Sequence, residues 1–230
     1  MTVVQSPDTD LDGAVVARNP VTGEELGRVP DLGAAGVRAL VERARRAQPA
    51  WRQLGFAGRG RVLRRVQAWA IDHTEELIAA IQAETGKVHE DAMIEVGTLA
   101  AELAFWTRHA PRYLAEERIH SLNPFVLGKR LRVRYVPRQV AGIIAPWNYP
   151  VALGIGDSVP ALAAGCSVVL KPSEVTPMSA LLVERALRGC GVPEGVFQVA
   201  TGRGATGAAL VDEADVIMFT GSTATGRKVL

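Results

Sequence analysis

Val140-Ala141-Gly142-Ile143-Ile144-Ala145, Cys166-Ser167-Val168-Val169-Leu170, Val196-Phe197-Gln198-Val199-Ala200 and Asp215-Val216-Ile217-Met218-Phe219 are four short apolar runs in the second half of a 230-residue chain. Each is bounded by turn residues and followed by a stretch with helical spacing, beginning near Pro150, Pro177, Gly204 and Thr223. Strands that are apolar almost throughout and alternate with helices belong to a parallel sheet covered on both faces. The expected fold class is therefore α/β, with a Rossmann-like parallel sheet over residues 138–230. Ligands bind such sheets beyond the C-terminal ends of the strands. That rule singles out four places: Ala145 to Pro150, Lys171 to Glu174, Thr201 to Gly207, and Thr220 to Gly226.

Ahead of this unit the pattern changes. Asn19-Pro20-Val21-Thr22-Gly23-Glu24 reads as a turn and Leu26 to Val29 as a short strand closed by Pro30. Apolar residues then recur at three and four, predicting one helix over 34–52 and a second over 59–85 with Val62, Val66, Trp69, Leu77 and Ile81 on one side. Gly86 suits the position past a helix C-terminus, and a third helix is expected over 88–115. Leu131, Val133 and Tyr135 alternate with Arg132, Arg134 and Val136, a half-buried strand that pairs with Ile119 to Val126 as a hairpin. The organisation expected is a helical arm over 1–117, a hairpin over 118–137, and the sheet unit over 138–230.

Composition narrows the function classes. With 48% hydrophobic and 22% charged residues the chain can bury a core, and a net charge of +2 gives no electrostatic case for nucleic acid or an anionic membrane. No apolar run approaches the roughly 20 residues of a membrane span, and the polar, acidic start differs from a secretory leader. A cytoplasmic protein is expected. Cys166 and Cys190 have neither CxxC spacing nor nearby histidines, so neither a disulfide framework nor a metal site is expected.

At the third strand end, Gly202-Arg203-Gly204-Ala205-Thr206-Gly207 is a literal GxGxxG between strand and helix, a dinucleotide fingerprint that structural glycine turns also satisfy. At the fourth, Gly221-Ser222-Thr223-Ala224-Thr225-Gly226-Arg227-Lys228 has Arg227 where a P-loop needs Lys. An NTPase is rejected, but a glycine-flanked helix start with free N–H groups remains. At the second, Lys171-Pro172-Ser173-Glu174 offers a carboxylate able to accept from both ribose hydroxyls of an adenosine and to repel a 2′-phosphate. A surface Lys–Glu pair in a proline turn is the plainer reading of the same residues. At the first, the Asn148 amide sits between Pro146 and Pro150, as an oxyanion donor must be pinned, although an Asn in a turn often only caps its own backbone.

Taken in order, Ile143 to Pro150, Pro160 to Cys166, Val169 to Glu174 and Phe219 to Thr223 resemble the aldehyde dehydrogenase superfamily. The likeness extends back through Glu84-Thr85-Gly86-Lys87 to the Asn19-Pro20 turn, and its texture is most similar to the succinate-semialdehyde dehydrogenase branch. The resemblance implies attack of a cysteine thiolate on an aldehyde, hydride transfer from the tetrahedral adduct to a nicotinamide, and hydrolysis of the thioester by glutamate-activated water. It implies Asn148 as the catalytic oxyanion donor. It also implies cofactor contacts from Ile144, Ala145, Pro146 and Trp147 along the groove, Lys171 and Glu174 at the ribose, Gly202 near the adenine, and Gly221 and Ser222 at the pyrophosphate, with Pro172, Ser173, Phe219 and Gly226 also among the cofactor-binding residues. The cofactor is NAD, with NADP open, the substrate a small aldehyde, and the hairpin an oligomer contact, so a homo-oligomer is expected of the complete protein.

The family continues beyond this point to its Glu-Leu-Gly-Gly-Lys base and its nucleophilic Cys, neither of which lies within Met1 to Leu230. Cys166 and Cys190 read as small hydrophobes rather than substitutes. Asp157 stands where many relatives carry a Lys. The expectation is a cofactor-binding part without turnover of its own. Two rivals stay open: a non-catalytic nucleotide-binding or interaction module, and a hydride-transfer enzyme of another kind using a Tyr or His acid, with Tyr149 the tyrosine near a strand end.

Overall fold

The computed structural model describes residues 13–120, 123–126 and 128–230; most of the polar leader and part of the strand expected over 119–126 fall outside them. Strand β1 (Ala14–Arg18), not anticipated, pairs antiparallel with β2 (Glu25–Pro30) around the expected turn. There the Asn19 side-chain oxygen accepts from the N–H groups of Val21 and Thr22. Helix α1 (Gly33–Gln53) follows. The single helix expected over 59–85 is two, α2 (Gly55–Asp72) and α3 (Thr74–Thr85). His73 breaks them at φ −112°, ψ 29°, and the Thr74 hydroxyl donates back to the carbonyls of Ala70 and Ile71. The period hid this break because Leu77 and Ile81 continue into the same core as Val62 and Val66. Gly86 ends α3 at φ 71°, a left-handed value that favours glycine. Helix α4 (His89–Tyr113) completes the arm.

The hairpin is smaller and shifted from its expected place. β3 (Glu117–Ile119) pairs with β4 (Leu131–Val133), while Pro124–Val126 is a 3₁₀ turn rather than strand. Tyr135 and Val136 lie beyond β4 and are exposed, so the alternation there does not mark a buried face.

The sheet unit contains β5 (Val140–Ile144), α5 (Gly156–Ala164), β6 (Ser167–Lys171), α6 (Met178–Gly189), β7 (Phe197–Val199), α7 (Gly204–Glu213), β8 (Val216–Phe219) and α8 (Thr223–Val229). The helix expected near Pro150 opens as a π-helical turn, Pro150–Ile155, before α5. All strand pairs are parallel and the order is β7-β6-β5-β8. The chain therefore builds outward from β5 in one direction and then returns to lay β8 on the other side. Parity along β5 sorts its two faces. Ala141 and Ile143 join the core formed with α2 to α6, whereas Val140 joins the one formed with α1 and α7. Gly142 faces the second, where a Cβ would meet Ile217 Cδ1 at 2.5 Å and Leu210 Cγ at 3.0 Å, so only glycine admits α7 so closely.

The arm is tied to this sheet by polar side chains as well as apolar ones. The last carbonyls of α5, which no helix can satisfy internally, accept from arm donors. Trp51 Nε1 reaches Leu162 at 2.9 Å, Arg59 Nε reaches Ala163 at 3.0 Å, and Gln48 Nε2 reaches Gly165 at 2.8 Å. Arg59 also donates to Arg52 O at the end of α1 and stacks over Phe56. Its buried charge is thus met by the negative ends of two helices.

Candidate functional site

The direction of strand addition reverses between β5 and β8, and α/β sheets hold their ligands at such a reversal. Here the residues after β5, β6 and β8 form one cleft of about 530 Å³. Ile144, Ala145, Pro146, Trp147 and Asn148 line one side, Lys171, Ser173 and Glu174 a second, and Phe219, Gly221 and Ser222 the third, completed by Leu153, Thr220 and Thr225. Strand pairing persists to the lip, with Ala145 N donating to Lys171 O and Thr220 N to Ile144 O. Pro172, Gly202 and Gly226 are not in this wall.

Asn148 is exposed, and its carboxamide has no hydrogen-bond partner among the described residues. Lys171 is 5% exposed, and its ammonium pairs with the Glu174 carboxylate at 3.1 Å. A buried cation needs such a partner. At the third wall the Phe219 ring packs against two glycines: a Cβ on Gly221 would lie 2.7 Å from Cζ, and one on Gly226 3.3 Å from Cε1. Ser222 caps α8, its Oγ accepting from Thr225 N at 3.2 Å. Behind Thr220, whose hydroxyl donates to it at 3.4 Å, sits Asp157. Burial raises the Asp157 pKa and the nearby Glu102 charge adds to the rise, against the Thr220 bond.

The GxGxxG turn is occupied from within the chain. Asp31, between β2 and α1, accepts from Arg203 N at 3.2 Å and from Thr206 Oγ1 at 2.9 Å, and pairs with the Arg203 guanidinium. Burial alone would raise the Asp31 pKa, but the bonds from Thr206 and Arg203 together hold it below its ordinary value. Two other helix starts on this side are filled likewise. Glu84 accepts from Met178 N and Ser179 N at the head of α6, and Glu95 from Val151 N and Ala152 N in the π-helical turn. The sequence reading missed all three carboxylates. Two of them carried a signal: Glu84 continues the buried stripe of Leu77, Ile78 and Ile81 in α3, and Glu95 interrupts that of Ala92, Val96 and Leu99 in α4. Tyr149, considered as an acid, has its ring 3.6 Å from the Lys87 ammonium.

Known proteins with this arrangement are close in sequence. The profile of the aldehyde dehydrogenase family matches residues 8–230. Succinate-semialdehyde dehydrogenase [NADP(+)] GabD of Escherichia coli K12 is 38% identical over 227 residues, which is 97% of this chain and 46% of that protein. A crystal structure of an E. coli NADP-dependent enzyme superposes with a TM-score of 0.88 at 37% identity, covering 94% of this chain and 45% of that one. PnpE in complex with nicotinamide adenine dinucleotide gives 0.88 at 36% identity, covering 94% and 44%. The chain spans about 40% of the length of the first curated relatives it matches. With the family profile matching all but the first seven residues, this chain belongs to the aldehyde dehydrogenase family.

Proposed function

We propose that this chain supplies the cofactor-binding part of an enzyme that oxidises an aldehyde with NAD(P), succinate semialdehyde being the first aldehyde to assay. The observation that carries the reading is the convergence of Asn148, the Lys171–Glu174 pair and the Gly221–Ser222 turn on one cleft at the strand reversal. The donor set suits a dinucleotide: a carboxylate for ribose hydroxyls, and backbone N–H groups of a helix start with only a neutral cap. Glu174 and Lys171 would hold the adenosine ribose, Gly221 and Ser222 the pyrophosphate, and Ile144 to Trp147 the groove between, with Pro172, Ser173, Phe219 and Gly226 shaping these contacts. Gly202 would stand beyond the adenine end. Bound there, the nicotinamide supplies a hydride acceptor. Asn148 offers its amide N–H to the oxygen that becomes negative when the aldehyde carbon turns tetrahedral. The arm and the sheet unit act as one cofactor-binding domain. The exposed apolar side chains Ile119 and Val133 of the hairpin, with Tyr135 just past it, support its reading as an oligomer contact.

Glu174 also sets a cofactor preference. A 2′-phosphate would face its carboxylate, while the one nearby ammonium is already balanced by it. Losing hydrogen bonds to a charged partner costs roughly 1.5 to 3 kcal/mol, so NAD⁺ is expected to bind about tenfold or more tighter than NADP⁺. Calorimetric titration of both cofactors into the native chain and Glu174→Ala tests this. Equal affinities in the native chain, or an unchanged ratio in the variant, would remove Glu174 from the ribose site.

A further inference from the structure

Glu95 is fully buried, yet it lies outside the cleft wall. Its Oε2 accepts from Val151 N at 3.0 Å and Ala152 N at 3.1 Å, and its Oε1 accepts from the Lys87 ammonium. The same ammonium lies under the Tyr149 ring. The segment that follows Asn148 is therefore gripped twice, at the Tyr149 ring by a cation and at the next peptide groups by a carboxylate. On its other side the segment leaves β5 through the bond from Ala145 N to Lys171 O. Asn148 lies between these anchors with no side-chain bond of its own among the described residues, so the place from which its side chain enters the cleft wall is set by the backbone on either side.

We propose that Glu95 and Lys87 are positioning residues that hold the backbone around Asn148 so that its side chain enters the cleft. The inference rests on the reading of Asn148 as oxyanion donor, a role that demands a donor fixed before charge develops. A cation held over a ring and a buried carboxylate with three donors form a rigid support, because breaking either leaves a charge without its partner. Neither residue touches the cleft, so their influence passes through Tyr149 and the Val151–Ala152 peptide groups.

Amide exchange and side-chain resonances of the whole isotope-labelled chain test this without any aldehyde. In Glu95→Gln, exchange at Val151 and Ala152 is expected to quicken about tenfold or more, and the Asn148 side-chain amide signal to move. Lys87→Met should shift the Asn148 and Tyr149 signals, and Lys87→Arg should restore them by keeping a cation under the ring. Unchanged exchange at Val151 and Ala152, or release there without movement of the Asn148 signal, overturns the proposal. So does quickened exchange throughout α4 and β5 in both variants, which would make the pair ordinary core residues. If Asn148→Ala in the enzyme of which this chain is the cofactor-binding part leaves aldehyde oxidation unaltered, the oxyanion reading fails, while the signals of the Glu95 and Lys87 variants still report the support, so the two failures are separable.

Discussion

The chain has two glycine-rich turns from strand to helix, one before α7 and one before α8, and they differ in what fills them. The first carries the literal GxGxxG and is plugged by Asp31, whose carboxylate takes the Arg203 N–H and Thr206 hydroxyl. The second misses the P-loop pattern at Arg227, is capped only by the neutral Ser222, and opens on the cleft. A helix start attracts an anion through its free N–H groups and dipole, and a carboxylate from the same chain meets that demand as well as a phosphate does. Glycine spacing reports the shape of a turn. Its occupant decides whether a ligand can use it.

The sharpest way to break the comparison is at Gly202, which sits at φ 143°, and where a Cβ would collide with Asp31 Oδ1 and Thr206 Oγ1. Strain and overpacking act together, so Gly202→Ala is expected to cost about 3 kcal/mol in denaturant unfolding. A loss below about 1 kcal/mol would mean that the plug is loose.

Removing the plug is the next test. Asp31→Ala removes the acceptor of the Arg203 N–H and the Thr206 hydroxyl and leaves the Arg203 guanidinium without this partner, a loss of about 1 to 2 kcal/mol at neutral pH. The Asp31 pKa is lowered in the folded chain, so its contribution is complete above the unfolded value of about 4 and fades as pH falls through the lower folded value. The native chain and the variant should therefore converge in thermal midpoint below about pH 4. A gap that stays constant into acid would place the stabilisation elsewhere.

The smallest effect belongs to the open turn. Gly226 lies within α8 in ordinary helical backbone, and its Cβ would press at 3.3 Å on the edge of the Phe219 ring, which is partly exposed and has room to give the few tenths of an ångström needed. Gly226→Ala should stabilise by about 0.5 kcal/mol. A loss of stability there would show that this turn is as tightly packed as the first.

The sheet was legible because strands β5 to β8 are apolar on both faces and each ends at a turn residue. The cleft followed from the rule about strand ends, and most residues singled out at those ends line it. What escaped was what sequence distance conceals. Asp31 reaches Thr206 across 175 residues and Glu95 reaches Val151 across 56, and spacing within one element is blind to such pairs. The break at His73 escaped for the opposite reason, since the core beneath α2 and α3 is continuous and the apolar period crosses the break unaltered. The extent of the hairpin was overestimated because Leu131, Val133 and Tyr135 alternate with Arg132, Arg134 and Val136 on a segment whose later residues are exposed.

The end of α5 bears on how this chain is made. Gln48, Trp51 and Arg59 leave the ribosome well before Leu162, Ala163 and Gly165, the carbonyls they serve. Until those carbonyls emerge, an indole, a carboxamide and a guanidinium destined for the interior have only water to bond, so the helices of the arm cannot close over them without stranding polar groups. Contacts of such long range delay folding and prolong exposure of apolar surface. The arm is synthesised before the carbonyls it serves, so a nascent chain halted before Gly165 is expected to present α1 and α2 unlatched to chaperones and proteases alike.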